Sequence, residues 1–220
     1  MNRRTFMGTA LTALAMGLGI SGTRGMAAAA TAEDKLPAPG GFRKTTLEEA
    51  LRARRTIRSY ADKDLPEETL SNLLWAAWGV NRPGTGKRTA PSAVNRQEID
   101  VYVAKRDGLF LYDAKRHALV RKGGEDIRAL TGTQSFVGTA AVNLVFVADM
   151  DKVAGGDREE KLFYAGTDTG YISQNVYLFC AAEGLASVVR ASIDKPKLAK
   201  AMGLAADQTI TLAQCVGYPA

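Results

Sequence analysis

The chain has 220 residues, 46% of them hydrophobic and 24% charged, and a formal net charge of +6. That length allows one domain with a sizeable core, and the composition is that of an ordinary soluble globular protein. The charge does not single out nucleic acid. Residues 1–30 hold Arg3, Arg4 and Arg24 and no acid, so without them the balance falls from +6 to +3, and neither a long lysine-rich run nor zinc-finger spacing is present.

The first thirty residues read as a targeting segment. "NRRTFMG" is a twin arginine followed by Thr, Phe and an apolar residue, and the apolar stretch "TALTALAMGLGI" covers residues 9–20. Arg24 and the alanine run at 27–30 complete the layout with A-x-A cleavage choices. The pattern predicts export by the twin-arginine route to the periplasm. The apolar run is shorter than the ~20 residues that span a bilayer, so no stable membrane span is expected after cleavage. This route carries folded proteins, often with a cofactor already loaded, which favours a cofactor-binding enzyme. "GLGISG", residues 17–22, matches G-x-G-x-x-G, but it lies inside the targeting segment with no βαβ unit around it and is discarded.

Residues 31–44, "TAEDKLPAPGGFRK", read as an extended leader. "TTLEEALRARR" predicts a helix opened by a capping box, either Thr45 with Glu48 or Thr46 with Glu49. "LPEETLSNLLWAAWGV" predicts a second helix, with Pro66 in its first turn, a stripe of Leu70, Leu73, Leu74, Ala77 and Trp78, and a stop at Gly79. A polar loop follows, and then "EIDVYVAKR", in which Ile99, Val101 and Val103 alternate as in a strand. "GLFLYDAKRHALVRKG" reads as a hairpin turning near residues 113–116, and "EDIRALTGTQSFVGT" as helical in part. "AAVNLVFVADM" is a continuous apolar strand, hence buried on both faces. The strongest helix is "LFYAGTDTGYISQNVYLFCAAEGL", with Ile172, Val176, Phe179 and Cys180 at helical spacing and Gly184 as its stop. "ASVVR" (strand), "KPKLAKAMGL" (helix) and "TITLAQCVGYP" (strand) close the chain. Interspersed helices and strands with hairpins predict an α+β sandwich, a mixed and mainly antiparallel sheet flanked by helices, as one domain over residues 45–220.

Most catalytic signatures are absent. His117 is the only histidine; beside a predicted turn it reads as a surface residue, not as a triad imidazole. It shares no ligand-pair spacing with Cys180 and Cys215, so no metal site is predicted. The two cysteines lie in apolar segments and read as free buried thiols, with a disulfide as the alternative. "GTGKRT", residues 84–89, fails the P-loop pattern because residue 81 is Asn and Lys87 precedes Arg88.

"RARRTIRSY", residues 52–60, is the densest cationic stretch. Arginines at a helix C-terminus are favoured by the helix dipole, which accounts for the first of them. Past the helix end, an extended backbone would set Arg54, Thr56 and Arg58 on one side. Two guanidinium groups and a hydroxyl make a phosphate grip.

The same residues, "RRTIRSY", resemble the opening motif R-[RH]-[ST]-x-[RK]-x-[FY] of the nitroreductase family of flavoproteins. "APSAVNRQ" is similar to the family's P-S-[SA]-x-N-x-Q segment, "GYISQNVYLFCAAEGLASVV" to its long central helix and following strand, and "VGYP" to its closing motif. The four stand in family order and cover nearly all of the chain past the leader. The hairpin "GLFLYDAKRHALV" is also similar to the branch that contains peptide-azoline dehydrogenases. The resemblance implies a nitroreductase-like α/β/α sandwich and a homodimer binding FMN at its interface. Arg54 and Thr56 would hold the phosphate end, with Arg55 beside them, and Arg58 would reach the N1/O2 edge of the flavin. Pro91, Ser92, Ala93 and Asn95 would come from the other chain. Val189, Arg190 and Ala191 would approach the flavin and offer a backbone N–H near N5.

Two departures carry expectations of their own. Many family members carry Glu-Gly where Arg190-Ala191 align, so Arg190 is expected to add a cation beside the flavin. Members also continue to a basic pair and an arm that embraces the partner. Here Lys87 or Arg88 would replace the cations, or nothing would, and the leader around residues 36–42 would replace the arm. The implied activity is FMN-dependent two-electron transfer in ping-pong fashion to or from a small organic substrate, with no side-chain nucleophile. A nicotinamide, a quinol or a redox partner would serve as donor. The alternatives are a flavin-binding module without turnover, or a dehydrogenase acting on an exported peptide or metabolite.

Overall fold

The computed structural model describes residues 33–220; the targeting segment and its glycine pattern lie outside them. Strand β1 is Glu33–Lys35. Helix α1, Leu47–Ala53, starts at Thr46, whose hydroxyl accepts the Glu49 N–H while the Glu49 carboxylate accepts the Thr46 N–H. Of the two possible capping boxes, this one forms. Helix α2, Glu67–Trp78, is preceded by Pro66 and ends at Gly79, as its sequence predicts. The polar loop contains a small hairpin of β2, Val80–Arg82, and β3, Lys87–Arg88. Next come β4, Ile99–Lys105, the hairpin of β5, Gly108–Asp113, and β6, Ala118–Gly123, and the buried strand β7, Val142–Asp149. The segment between β6 and β7 is helical only as two short 3-10 turns, Arg128–Thr131 and Ser135–Gly138. Helix α3, Arg158–Glu183, is capped by the Asp157 carboxylate and stopped by Gly184 at φ 73°, a conformation that favours glycine. Strand β8, Ala186–Arg190, helix α4, Lys195–Met202, and strand β9, Gln208–Gly217, complete the chain.

Seven strands form one sheet in the order β1-β6-β5-β4-β7-β9-β8, and every pairing in it is antiparallel. Alternation along the central strands divides the core. Ile99, Val101, Val103, Leu144 and Phe146 face α2 and α3, meeting Leu73, Leu74, Trp78, Ile172 and Val176. Tyr102, Ala104, Val145 and Val147 face the other way, toward Leu198 and Met202 of α4. Helices therefore cover both faces of an α+β sandwich, and each central strand is buried on both sides.

Two expectations need correction here. The leader does not stand free to embrace a second chain. It adds β1 to β6, buries Leu36, and ties itself to α2 through Ser71 Oγ donating to the Pro37 carbonyl (2.6 Å) and paired bonds between Asn72 and Gly40. Phe42 packs on Trp75 and Phe179. His117 is not a free surface residue either but half-buried. Its ring lies 2.7 Å from Ser71 Oγ and 3.1 Å from the Pro37 carbonyl through Nε2, and 2.8 Å from the Tyr112 hydroxyl through Nδ1. Burial holds its pKa below the ordinary value. The sequence places it at a turn, but the leader folds over that turn and encloses it.

Candidate functional site

Helix α1 ends where Arg54 leaves helical geometry with ψ 121°, its N–H still bonded to the Ala50 carbonyl. The chain then runs extended along the outer edge of β8, where the Ile57 N–H donates to the Ser187 carbonyl at 3.0 Å. Ile57 packs inward with Tyr60 and Val188, while Thr56 and Arg58 are exposed. The predicted alternation is therefore present, and its cause is that an edge strand leaves a row of carbonyls to be satisfied. Tyr60 fixes the far end, bridging to Pro219 and donating its hydroxyl to the Ile57 carbonyl at 3.0 Å.

One side chain gathers this region: Tyr177 of α3. Its hydroxyl accepts the Val189 N–H at 3.0 Å and lies 3.2 Å from Thr56 Oγ1, and the Arg54 guanidinium sits 5.3 Å from its ring centroid. Arg54, Thr56 and Val189 thus converge on one side chain, whereas the motif sets Val189 at the ring and the other two at the phosphate. Among the described residues, no carboxylate forms an ion pair with Arg54, Arg55 or Arg58. Three cations within five residues repel one another, and an anionic ligand relieves that repulsion. Sequence reasoning missed Tyr177; its signal is a phenol inside the buried stripe of α3, where a polar tip needs a partner.

The second motif forms a separate, strained loop. Ser92 Oγ accepts the Gln97 N–H at 2.9 Å, Gln97 Nε2 donates to the Gly86 carbonyl and to Asn95 Oδ1, and the Ala93 N–H donates to Asp168 Oδ2 of α3 at 2.8 Å. Val94, Asn95 and Gln97 all have positive φ, at 43°, 57° and 52°. For a β-branched valine that conformation is costly, so the surrounding bonds hold it. Asp168 and Tyr177 are nine residues apart on α3, about 13 Å along the axis and half a turn around it. One chain therefore presents the two motifs on different sides of α3.

Arg190 departs from its expected place. It is buried, and its guanidinium turns into the fold. Nη1 donates to the Thr131 carbonyl (2.8 Å), and Nη2 to Thr131 Oγ1 (2.9 Å), Asn143 Oδ1 (3.0 Å) and Cys215 Sγ (3.3 Å). Strand alternation explains this: Val188 and Arg190 share the face that packs on Val137 and Cys215, whereas Ser187 and Val189 face α3. Arg88 is engaged as well, with Nε donating to Gln97 Oε1 (2.8 Å), Nη1 donating to the Trp78 carbonyl, and the guanidinium over the Trp78 ring. Lys87 alone of that pair is exposed. Cys180 and Cys215 are free and buried, and burial pushes the Cys180 thiol up to about 12, so neither offers a thiolate near neutral pH. Among the described residues, no cluster of His, Cys, Asp and Glu has the makings of a metal site.

A cavity of about 760 Å³ lies elsewhere, lined by Asp34, Leu36, Asp64, Leu70, Lys105 and Val142. It contains none of the predicted site residues. On the arginine edge Arg55, Thr56 and Arg58 are exposed in the single chain.

Known proteins share this fold. The sequence model described as "Nitroreductase family" matches residues 51–218. A protein of Methanocaldococcus jannaschii, provisionally named a nitroreductase, is 30% identical over 168 residues, covering 72% of this chain and 83% of that one. A crystal structure from Ralstonia eutropha, also provisionally named a nitroreductase, superposes with a TM-score of 0.81 at 39% identity, covering 86% of this chain and 90% of the other. A third structure, from Desulfovibrio desulfuricans and in complex with FMN, is alike in fold, with a TM-score of 0.59 at 23% identity over 80% of this chain and 88% of that one. With its four motifs in order on this sandwich, the chain belongs to the nitroreductase family.

Proposed function

We propose that the chain is an exported FMN-dependent oxidoreductase that transfers two electrons, in ping-pong fashion, to or from a small organic molecule. The observation that carries the reading is the convergence of Arg54, Thr56 and the Val189 backbone on Tyr177, beside arginines that no carboxylate neutralises. Guanidinium groups and a hydroxyl together fit a phosphate monoester; the Val189 N–H is already bonded to Tyr177, so the ring end of the cofactor is assigned to the main chain of Ala191. When bound, FMN supplies hydride chemistry at N5. Arg54 and Thr56 hold the phosphate end, with Arg55 beside them. Arg58 places a fixed cation where reduction leaves negative charge. Ala191 contributes main chain, and Arg190 acts from inside the fold, not as a cation beside the ring.

Pro91, Ser92, Ala93 and Asn95 are assigned to the site of a second copy. Two observations support a homodimer. The motifs lie on different sides of α3, and large apolar side chains stand exposed on α1 (Leu47, Leu51), on α3 (Phe163, Tyr171) and on the strained loop (Val94). Export by the twin-arginine route, suggested by "NRRTFMG", places the protein in the periplasm. A quinol or a redox partner there is a more available donor than a nicotinamide. The β5–β6 hairpin favours a second reading, dehydrogenation of an exported peptide or metabolite. A flavin-binding module without turnover is the third; flavin that no donor reduces distinguishes it.

The test is a visible spectrum of the purified protein and an FMN titration. A flavin band, or saturable uptake of FMN, is expected. A folded protein that shows neither contradicts the reading.

A further inference from the structure

Glu98 stands between the strained loop and β4, and it is 1% exposed. Neither of its carboxyl oxygens accepts a well-formed hydrogen bond among the described residues. The group it meets is Asp168, also buried, whose Oδ2 accepts the Ala93 N–H at 2.8 Å. Two carboxyl groups can hydrogen-bond each other only when one carries a proton. No cation compensates the pair. The elements around Glu98 carry Asp100 on β4, Asp149 at the end of β7, Asp168 on α3 and Arg88 on β3. Arg88 is turned to Gln97 and Trp78, and Lys152 pairs with Asp149. Burial, with Asp168 adding to it, raises the Glu98 pKa from the ordinary 4.5 to about 7.

We propose that Glu98 and Asp168 are positioning residues, that Glu98 keeps a proton in the fold and donates it to Asp168, and that this bond holds the strained loop of residues 91–97 in the shape that presents Ser92, Ala93 and Asn95 to FMN. The loop needs such a hold. Val94, Asn95 and Gln97 are all left-handed, and the Ala93–Asp168 bond is the side-chain tie from the loop to α3. With the proton in place, one carboxyl donates and the other accepts, and Asp168 keeps its second oxygen on Ala93. Without it, two negative charges face each other in a buried site, and the cheapest relief is to let Asp168 or the loop move. Because the folded-state pKa of Glu98 is raised, its contribution is complete below about 4.5 and is lost as pH rises through about 7.

This inference rests on the FMN reading for its functional consequence but not for its structural one, and the test separates them. FMN affinity is measured between pH 5.5 and 8.5 for the parent chain, Glu98→Gln and Asp168→Ala, together with the exchange protection of the Ala93 amide. The parent is expected to bind FMN roughly tenfold more weakly at the high end, the loss of about one hydrogen bond. Glu98→Gln donates to Asp168 at every pH, so its profile flattens and it binds about tenfold tighter than the parent at pH 8.5. Asp168→Ala is weak throughout. The Ala93 protection factor follows the same pattern with no flavin present. A Glu98→Gln profile that still falls through pH 7, or Ala93 protection indifferent to both substitutions, overturns the proposal. If the parent takes up no FMN at any pH, the FMN reading fails, and the Ala93 protection alone decides the Glu98 proton.

Discussion

Arg190 is held inside the fold by Thr131, Asn143 and Cys215, whereas Arg58 projects from an exposed edge with no carboxylate paired to it. Arg88 belongs with Arg190, and so does Arg128, which is bound to Asp126 and the Ala140 carbonyl. Arg54 and Arg55 belong with Arg58. The difference teaches that arginine density does not mark a site. A buried guanidinium whose two terminal nitrogens are held by carbonyls, hydroxyls and amides, as in Arg190 with only Nε left unpaired, is part of the architecture. An exposed cation that the fold leaves without a hydrogen-bond partner or a counter-charge is the one available to a ligand.

The sharpest way to break this division is to exchange the consequences. Arg190→Ala strands the Thr131 and Asn143 acceptors and opens a hole in the core; a loss of about 3 kcal/mol in urea unfolding is expected. Arg54→Ala and Arg58→Ala should change stability by no more than about 0.5 kcal/mol, yet weaken FMN by roughly 10–100-fold, the value of one charge-assisted hydrogen bond. If Arg190→Ala were as stable as the parent, or if Arg58→Ala unfolded the chain, the division would be wrong.

Tyr177→Phe sharpens the comparison at the boundary between the two classes. It keeps the ring under Arg54 but leaves the Val189 N–H and Thr56 hydroxyl without their shared partner. A loss of about 1 kcal/mol of stability, with several-fold weaker FMN binding, is expected in the same two measurements.

The smallest effect is at His117, far from the arginine edge. Its pKa lies below the ordinary 6.5, so its contribution is complete above pH 6.5 and is lost as pH falls toward the folded-state value. A series of unfolding curves between pH 5 and 8 should show His117→Asn losing this downward arm. Glu98 acts in the opposite sense over the same range, so a Glu98→Gln background isolates the histidine.

Much of the fold is legible in the sequence. Period-2 alternation marks β4, and the apolar run marks β7 as doubly buried. Thr46, Pro66 and the two stops at Gly79 and Gly184 bound the helices, although α3 begins at Arg158, a turn before its apolar spacing does. The arginine motif is legible too, because its alternation follows from lying on a strand edge. What is not legible depends on tertiary partners. His117 is enclosed by a leader 80 residues away in the chain, and nothing local announces it. Arg190 turns inward because of which face of β8 it occupies, a parity set by pairing with β9. Glu98 and Asp168, 70 residues apart, look like two ordinary surface acids until α3 closes over the loop.

The most direct test of the account is an FMN titration of three variants beside the parent chain: Arg54→Ala, Arg58→Ala and Arg52→Ala. Arg52 lies in the same arginine run but is paired with Glu48 on the exposed face of α1. The account predicts saturable binding by the parent, roughly 10–100-fold weaker binding for Arg54→Ala and Arg58→Ala, and parent-like affinity for Arg52→Ala. Equal affinity in all four proteins, or equal loss in all three variants, would contradict it.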